Sequence, residues 1–305
     1  MSRLAEDIIA FLSGNGFEGH VQNRSGLDII HARSRISGAE RMILPLEISA
    51  QTIGQARQQS MKAAEIIQMI EKESGYPIII TEDRWNRQRG VMEKRLLAHM
   101  EVFSQAYARN CEVRRIDKET AGKFLEDNHS YGDAACKYRY GLYLKRHTGH
   151  IARRLGMDCS ENIGQLIAVA TFSNARKWIK EGKEIRSYEW VRYASLPDLR
   201  VSGGMGRLLK TFINEVQPDD IMSYADLEWS EGRAYKALGF MEDAAKDPVG
   251  FEISPQDWKR TALKGLPDVQ GMAGQGTTTV ADPTGKLYFV NFGSRKLRLK
   301  LTDYR

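Results

Sequence analysis

A long strand, a glycine-rich loop and a helix that starts directly from that loop limit the fold of this chain more than any other feature. IRSYEWVRYA (185–194) alternates polar and apolar residues in the way of a half-buried strand. LPDLRVSGGMG (196–206) is the loop, and RLLKTFINEV (207–216) has the apolar spacing of a helix. Strands and helices in this order predict an α/β (α+β) protein built on a mixed central sheet with flanking helices.

The glycine-rich loop predicts an anion site. Gly203, Gly204 and Gly206 leave backbone N–H groups uncovered, and the positive end of the helix dipole favours negative charge there. A phosphate can therefore bind where the helix starts, with Arg200 and Ser202 beside the glycines. A glycine-rich turn that serves packing alone remains the other interpretation.

The stretch SYADLEWSEGRAYKALGF (223–240) predicts a strand and then a short helix, and it ends in Tyr-x-x-Leu-Gly-Phe. This ending and the elements before it resemble the GNAT acyltransferases over residues 111–254. The resemblance implies that the loop holds the pyrophosphate of acetyl-CoA or another acyl donor, and that Tyr235 protonates the departing thiolate. The family's loop has Gln or Arg where this chain has Val201, and Arg200 lies one place earlier. Tyr235 as an ordinary core residue is the alternative.

Three short elements are similar to the phage Mom family, GNAT-like proteins that modify adenine in phage DNA. They are HSYG (129–132), YEWVRYA (188–194) and SYAD (223–226). This resemblance implies a DNA-modifying N-acyltransferase of phage or prophage origin that works in the host cytoplasm. Such an enzyme transfers an acyl-type group to a nucleobase amine and so protects the DNA from restriction enzymes.

Acyl transfer to an amine needs a group that removes a proton and an acid for the leaving group. His129 or Asp226 is the candidate base, and Tyr235 is the candidate acid. Glu189 is a further catalytic candidate. Glu189 and Arg192 are expected on opposite faces of their strand, so that at least one of them faces inward. Asp226 as a helix cap and His129 as a partner of a helix C-terminus remain open.

The segment from Lys137 to Arg154 is strongly basic, with tyrosines between the basic residues and no acid. Such a composition suits a phosphate backbone with stackable bases. A base amine inside a duplex is out of reach until the base is flipped, and Tyr131 is a candidate stacking partner. A solvated loop beside a half-buried strand is the other interpretation. The predicted nucleic-acid-binding residues are Lys137, Arg139, Lys145, Arg146, Arg153, Arg154 and Tyr131.

Asp28 and Glu47 lie on neighbouring predicted strands, as the two carboxylates of a PD-(D/E)xK nuclease core do. Such a pair would hold a Mg²⁺ ion that activates water. This part resembles the very-short-patch-repair type of nuclease domain that precedes a Mom-like domain in phage Hef-like homing endonucleases. Ser49 stands where the Lys of the pattern belongs, which favours a degenerate, DNA-binding or structural domain.

Two other functions therefore stay open. One is a site-specific, magnesium-dependent endonuclease of the homing type, in which the GNAT-like part recognises DNA. The other is a catalytically silent DNA-binding protein, for which the formal net charge of +6 is a mild indication.

These patterns predict a restriction-endonuclease-like α/β domain over 1–110 and a Mom-like GNAT-fold domain over 111–305, with a flexible segment near 265–286. No apolar run approaches the roughly 20 residues that span a bilayer, so no membrane partner is expected. The 3 scattered cysteines give neither a disulfide framework nor a metal spacing, which favours the cytoplasm. The sequence leaves the oligomeric state open.

Overall fold

The computed structural model describes residues 1–35, 37–146, 164–180, 182–265 and 285–303. Helices alternate with strands, and parallel and antiparallel pairs share the sheets, so the expected mixed α/β class is confirmed. The predicted nucleic-acid-binding residues Arg153 and Arg154 lie outside the described residues, as does most of the segment near 265–286. None of the described helices is both long and apolar enough to cross a membrane.

The chain divides into two compact units, each made of three segments. The first unit is Met1–Met100, Asp226–Glu231 and Ala245–Arg295, and the second is Glu101–Ala225, Gly232–Ala244 and Lys296–Arg305. The sequence had predicted a single boundary at residue 110, whereas here two later segments join the first hundred residues. They do so because Phe251, Ile253 and Phe289 pack with Ile48 in one apolar cluster.

The first unit is built on a four-stranded mixed sheet in the order β1-β2-β3-β4. Its first two pairings are antiparallel and the β3–β4 pairing is parallel, with α2 as the connection. The elements up to residue 99 are α1 (Arg3–Gly14), β1 (Phe17–Arg24), β2 (Leu27–Ser34), β3 (Glu40–Leu46), α2 (Ile53–Ser74), β4 (Ile78–Thr81), α3 (Glu82–Arg87) and α4 (Arg89–His99).

Helix α2 shows how local sequence fixes an element of this unit. The Thr52 side chain accepts a hydrogen bond from the Gln55 N–H at the start, and Gly75 ends the helix with a positive φ of 90°. The buried stripe of α2 packs against the four-stranded sheet, and Ile67 and Ile70 lie in one cluster with Ile79 of β4. A separate antiparallel sheet in this unit has the order β15-β14-β16 and consists of β14 (Gly250–Ile253), β15 (Arg260–Ala262) and β16 (Leu287–Val290).

The second unit is built on a larger mixed sheet in the order β13-β17-β12-β10-β8-β7-β6, with β9 paired to β10. Its strands are β6 (Cys111–Arg115), β7 (Tyr138–Leu144), β8 (Leu166–Phe172), β9 (Arg176–Lys180), β10 (Lys183–Ser195), β12 (Asp220–Asp226), β13 (Met241–Lys246) and β17 (Ser294–Lys300). A small parallel pair, β5 (Ser104–Tyr107) with β11 (Leu199–Ser202), and the 3-10 turn Ala108–Asn110 complete the strands and turns. The helices are α5 (Lys118–Asn128), α6 (Gly204–Val216) and α7 (Arg233–Lys236).

An aromatic cluster forms the core of the second unit beneath α6. Phe212 of α6 stacks on Phe172 of β8 with ring centroids 3.9 Å apart, and Tyr140, Tyr138 and Tyr188 meet Phe212 edge to face. Such ring pairs add to the stabilisation from apolar burial, because edge and face carry opposite partial charge. The core therefore holds α6, and with it the glycine-rich loop, at a fixed place on the sheet.

Candidate active site

Strands β10 and β12 run parallel for only a short distance and then separate. Their paired residues are Ser187 with Asp220, Tyr188 with Ile221 and Glu189 with Met222, which is where the described ladder stops. Beyond Glu189, β10 continues to Ser195 along β8. The β10–β12 ladder thus ends in the middle of β10, and just beyond it the Ser223 hydroxyl donates to the Trp190 carbonyl at 2.9 Å.

A β-bulge lies at the same point of β10. Trp190 pairs with Phe172 and Arg192 with Thr171, so Val191 is one residue more than β8 offers. This extra residue corrects the expectation that Glu189 and Arg192 face opposite sides. In a regular strand, side chains three positions apart point to opposite faces. The inserted residue instead places the Glu189 and Arg192 side chains both on the face of Thr171, opposite Trp190.

Tyr235 of α7 lies beside this bulge. Its ring meets Trp190 and Phe240 edge to face at 5.6 and 5.5 Å, and its hydroxyl is hydrogen-bonded to the Ser223 side chain. Burial raises the pKa of Tyr235, while the Glu189 charge raises it further and the Arg192 charge lowers it. Tyr235 therefore lies on the Trp190 side of β10, whereas Glu189 and Arg192 lie on the other face and act on Tyr235 through their charges.

The loop after α5 lies against the same part of β10. Arg192 donates through Nε to the Gly132 carbonyl at 3.2 Å, and its guanidinium carbon lies 6.0 Å from the centre of the Tyr131 ring. His129, at the C-terminal end of α5, accepts the Tyr131 N–H on Nδ1 at 3.1 Å. Gly132 has φ +61°, and a Cβ there would lie 2.6 Å from the Glu126 carboxylate, so only glycine fits the turn. His129 and Tyr131 are thus placed close to Arg192.

Asp226 has a different environment. Its carboxylate accepts the Glu228 N–H at 2.9 Å and lies 3.5 Å from Arg84, while its carbonyl accepts N–H groups from Trp229 and Ser230. Asp226 belongs to the segment that counts with the first unit. These contacts are those of a turn cap, whereas the next helix, α7, has Gly232 as its N-cap, so Asp226 does not cap that helix. As a catalytic base Asp226 stays a prediction.

The glycine-rich loop is shorter than the sequence indicated, because Arg200 and Ser202 belong to β11. Ser202 Oγ accepts a hydrogen bond from the Gln105 side chain at 2.9 Å. Gly203 has φ +75° and is the N-cap of α6, and a Cβ on Gly204 would lie 3.0 Å from Val201. The glycines therefore serve close packing and also leave the start of α6 without a side-chain cap, which is the arrangement that an anion site needs.

The predicted basic residues do not form one surface. Lys145 and Arg146 line a pocket together with Arg109 and Arg207, two residues that the sequence analysis had not singled out. Arg139 instead pairs in register with Thr171, on the Glu189 face of the sheet, and donates to the Cys136 carbonyl at 2.9 Å. Lys137 is exposed just before β7. Sequence proximity grouped these side chains, but alternation along β7 separates them.

In the first unit, Asp28 and Glu47 both accept backbone N–H groups at the start of α1. Ser2 N donates to Asp28 at 2.6 Å, and Leu4 N donates to Glu47 at 3.2 Å. Burial raises the pKa of Asp28, but hydrogen bonds from Asn23 and Ser2 outweigh that and hold it below its ordinary value. Within the described ranges no three or more His, Cys, Asp or Glu residues form a group that could hold a metal. The magnesium pair stays a prediction.

The comparisons with known proteins find distant structural similarity only. No family model and no curated protein match the sequence. The chain is similar to Eis1 from Mycobacterium abscessus, with 14% identity and a TM-score of 0.33, over 46% of this chain and 33% of Eis1. It is also similar to a GNAT-family acetyltransferase from Bacillus anthracis, with 12% identity and a TM-score of 0.31, over 63% and 95% of the two chains. A third similarity is to a variant of the AtaT toxin bound to the C-terminus of its antitoxin AtaR and acetyl-CoA. The identity is 14% and the TM-score 0.27, over 44% of this chain and 87% of the toxin chain.

Proposed function

We propose that this protein is an N-acyltransferase that uses a CoA-type acyl donor, with its reacting centre where the pairing of β10 with β12 ends. One observation carries the proposal. Tyr235 packs on Trp190 at the bulge of β10 with a hydroxyl pKa that burial raises, and the charges of Glu189 and Arg192 act on it from the other face of the strand. An acid that stays protonated, near a candidate base and the end of a strand pairing, suits the replacement of a thiolate by an amine.

The chemistry follows from the groups at the bulge. The acceptor amine attacks the acyl carbonyl carbon, and the carbonyl oxygen takes up negative charge, which backbone N–H groups of β10 beyond Glu189 stabilise. The C–S bond then breaks, and the departing thiolate takes the proton of the Tyr235 hydroxyl. Glu189 takes the proton that the amine loses, directly or through one water. Arg192, which affects the pKa of Tyr235, offsets the negative charge that forms here.

The start of α6 supplies the donor site in this proposal. The N–H groups of Gly204, Met205 and Gly206 are the free donors of the first turn of a 13-residue helix, and the helix dipole favours an anion there. A CoA-type donor carries a pyrophosphate that matches these donors. Gly204 lies close to the Tyr193 hydroxyl, and Tyr193 packs edge to face on Trp190, next to Tyr235. The predicted pyrophosphate site is thus connected to the reacting centre by packed side chains.

For the acceptor we propose a nucleobase amine of DNA, in the phage or prophage anti-restriction role that the Mom resemblance implies. The HSYG element supports this, since His129 and Tyr131 lie near Arg192, and Tyr131 is 41% exposed and available for stacking on a flipped base. His129 is the second candidate base. Host cytoplasm is the location that goes with this acceptor.

Nucleoside mass spectrometry on DNA from cells that express the protein tests both parts. We expect a modified nucleoside, detected by its new mass. Its yield should fall about 100-fold in Tyr235→Phe, because general acid catalysis contributes on that order. Tyr143→Phe, a change at a tyrosine of β7 that contacts Arg114, is the matched control and should keep the full yield. An equal yield from Tyr235→Phe would contradict the mechanism. Unmodified DNA together with transfer to another amine would contradict only the acceptor.

For the first unit we propose a nuclease-like domain that does not cleave DNA. Asp28 and Glu47 bind the backbone at the start of α1, and this gives both carboxylates a structural role. Magnesium-dependent nicking of plasmid DNA that stops in Asp28→Asn and survives Tyr235→Phe would instead favour the endonuclease.

A further inference from the structure

A pocket of about 430 Å³ in the second unit has basic walls. The pocket lies next to the first turn of α6, to which one of its basic residues belongs. Four basic residues from three places in the chain line it, namely Arg109, Lys145, Arg146 and Arg207. Its other lining residues are Asn110, Cys111 and Glu112. The presence of four basic residues around one concave site is the feature that needs an explanation.

Hydrogen bonds hold the walls of this pocket in place. The backbone N–H groups of Lys145 and Arg146 both donate to the Asn110 carbonyl, at 2.9 and 3.3 Å. Arg207 donates through Nη1 to the Ala108 carbonyl at 2.8 Å. The end of β7, the turn Ala108–Asn110 and the start of α6 are therefore joined around the pocket. The cations are brought together by the backbone and not by flexible side chains alone.

The pocket has a clear excess of positive charge. Its single acid, Glu112, lies 3.4 Å from Lys145 and 2.8 Å from Arg114, so one carboxylate is shared between a pocket cation and a cation outside. The positive end of the α6 dipole adds to the excess. Like charges held close together repel, and a multiply charged anion between them removes that repulsion while it forms charge-assisted hydrogen bonds.

A compact dianion fits this arrangement better than an extended phosphodiester backbone. A backbone presents one charge per phosphate along a line and is usually contacted by cations spread over a surface. A terminal phosphate monoester concentrates nearly two charges and three acceptor oxygens at one point. Four cations around one pocket match the second geometry.

We propose that this basic pocket binds the ribose phosphate monoester of the CoA-type donor, an inference that rests on the proposed function. Arg207 directly follows the glycines proposed to hold the pyrophosphate, so one donor molecule can reach both sites. Tyr193, beside Gly204, packs edge to face on Trp190 with ring centroids 6.1 Å apart. Lys145 and Arg146, predicted to bind nucleic acid, then bind the donor.

Calorimetry with the full chain, using CoA and dephospho-CoA, tests this assignment, because the two ligands differ only in that monoester. We expect the unchanged protein to bind CoA at least about 10-fold more tightly than dephospho-CoA, since charge-assisted contacts to one dianion are lost. The double variant Lys145→Gln/Arg146→Gln should bind both ligands equally. Lys183→Gln, which removes an exposed lysine at the start of β10 that does not line the pocket, should keep the difference.

Equal affinities for the two ligands in the unchanged protein would overturn the inference, and so would a difference that survives in the double variant. If the double variant loses binding to a duplex oligonucleotide but keeps its preference for CoA, the pocket belongs to nucleic acid and the inference is wrong. Acyl transfer that proceeds equally with both donors leaves the proposed function intact while the pocket assignment fails. If the protein prefers CoA through this pocket but transfers no acyl group, the pocket assignment holds while the proposed function fails.

Discussion

Both units keep charged groups out of water, but they do so in opposite ways. In the first unit, Arg260 donates to Asp83, to both carboxylate oxygens of Glu228 at 2.9 and 2.8 Å, and to the Thr81 hydroxyl at 2.8 Å. Glu228 also lies 3.0 Å from Arg84. Each carboxylate of this cluster thus has an arginine partner within hydrogen-bond distance.

In the second unit, Arg192 shares a face with Glu189 but donates to the carbonyls of Gly132 and Val191. Its charge is oriented by the backbone, and among the described residues no carboxylate forms an ion pair with it. This difference distinguishes a charge that stabilises the fold from a charge that can take part in a reaction. A buried cluster whose charges cancel holds elements together, whereas a partly buried charge that is only oriented can respond to charge on a ligand.

The pKa directions agree with this contrast. Burial raises the pKa of Asp83, but the Arg260 charge and hydrogen bond outweigh it, so the pKa lies below its ordinary value and the carboxylate stays ionised. For Tyr235 burial is the largest cause, and the pKa is raised. In the first unit pairing thus stabilises the charged form of Asp83, whereas at Glu228 of the same cluster burial outweighs the Arg260 and Arg84 charges and raises the pKa. The second unit stabilises a neutral acid by desolvation.

The largest effect is expected where the cancelled charges are broken. Arg260→Ala leaves Asp83 and Glu228, each 2% exposed, without their main partner. We expect the free energy of unfolding of the first unit to fall by about 3–5 kcal/mol, the usual cost of breaking a buried pair, measured by urea denaturation. Glu252→Gln removes the partly exposed pair with Lys286 in the same unit and should cost less than about 1 kcal/mol. Similar losses in both variants would contradict a structural role for the cluster.

Tyr235→Phe is the corresponding change in the second unit. It removes one hydroxyl and keeps the ring contacts with Trp190 and Phe240. We expect acyl transfer to slow about 100-fold, which corresponds to about 2.7 kcal/mol of transition-state free energy, with little change in unfolding. Steady-state transfer rates and a denaturation curve on the same preparation separate the two effects. A loss of stability equal to the loss in rate would assign Tyr235 to the core instead.

Gly132→Ala tests whether the loop after α5 orients Arg192. The positive φ of Gly132 and the close Glu126 carboxylate make a Cβ there unfavourable. We expect a local cost of about 1–3 kcal/mol and weaker acceptor use, because the Gly132 carbonyl that Arg192 contacts would shift. The KM for the acceptor should rise while donor affinity stays the same. Gly164→Ala, also at a positive φ but with no atom within 4 Å of the added Cβ, is the control for backbone strain alone.

The smallest effect is the response of the rate to alkaline pH. An acid whose pKa is raised keeps its proton as the pH approaches 10, the ordinary tyrosine value. The transfer rate should therefore show no decline caused by Tyr235 between pH 7 and 10, and a decline should begin only above that range. The opposite outcome would be a transfer rate that declines below pH 10 in the unchanged protein but not in Tyr235→Phe. It would show that the pKa of this tyrosine is not raised.

Much of the fold could be predicted from local patterns. Strand β10, the glycine-rich loop and α6 were all evident from the sequence. Strand β1, FEGHVQNR, was not predicted, because only Phe17 of its residues is buried and apolar alternation is missing. The loop was placed too early because β11 is short and forms only by pairing with β5.

The candidate site was predicted in part, and the rest depends on register. Tyr235 and Glu189 were identified from the sequence, and the structure places them on opposite sides of β10 near its bulge, where the Glu189 charge raises the pKa of Tyr235. The bulge at Val191 that turns Arg192 to the same face could not be seen, because a bulge exists only relative to the partner strand. Arg109 and Arg207 were missed for a similar reason. They are 98 positions apart in the chain (207 − 109), and only the fold brings them to one pocket.

Local sequence signals were enough to predict elements that depend on a single turn or strand. These signals are helix caps, glycines that end a helix, and the spacing of apolar residues. Such signals act over a few residues, so they need no knowledge of the partner. Tertiary structure alone decided which charges meet, as for Arg260 and Asp83, 177 positions apart. It also decided which face a strand residue takes once a bulge intervenes. Both depend on contacts between distant segments, and the free energy of those contacts exists only when the chain has folded.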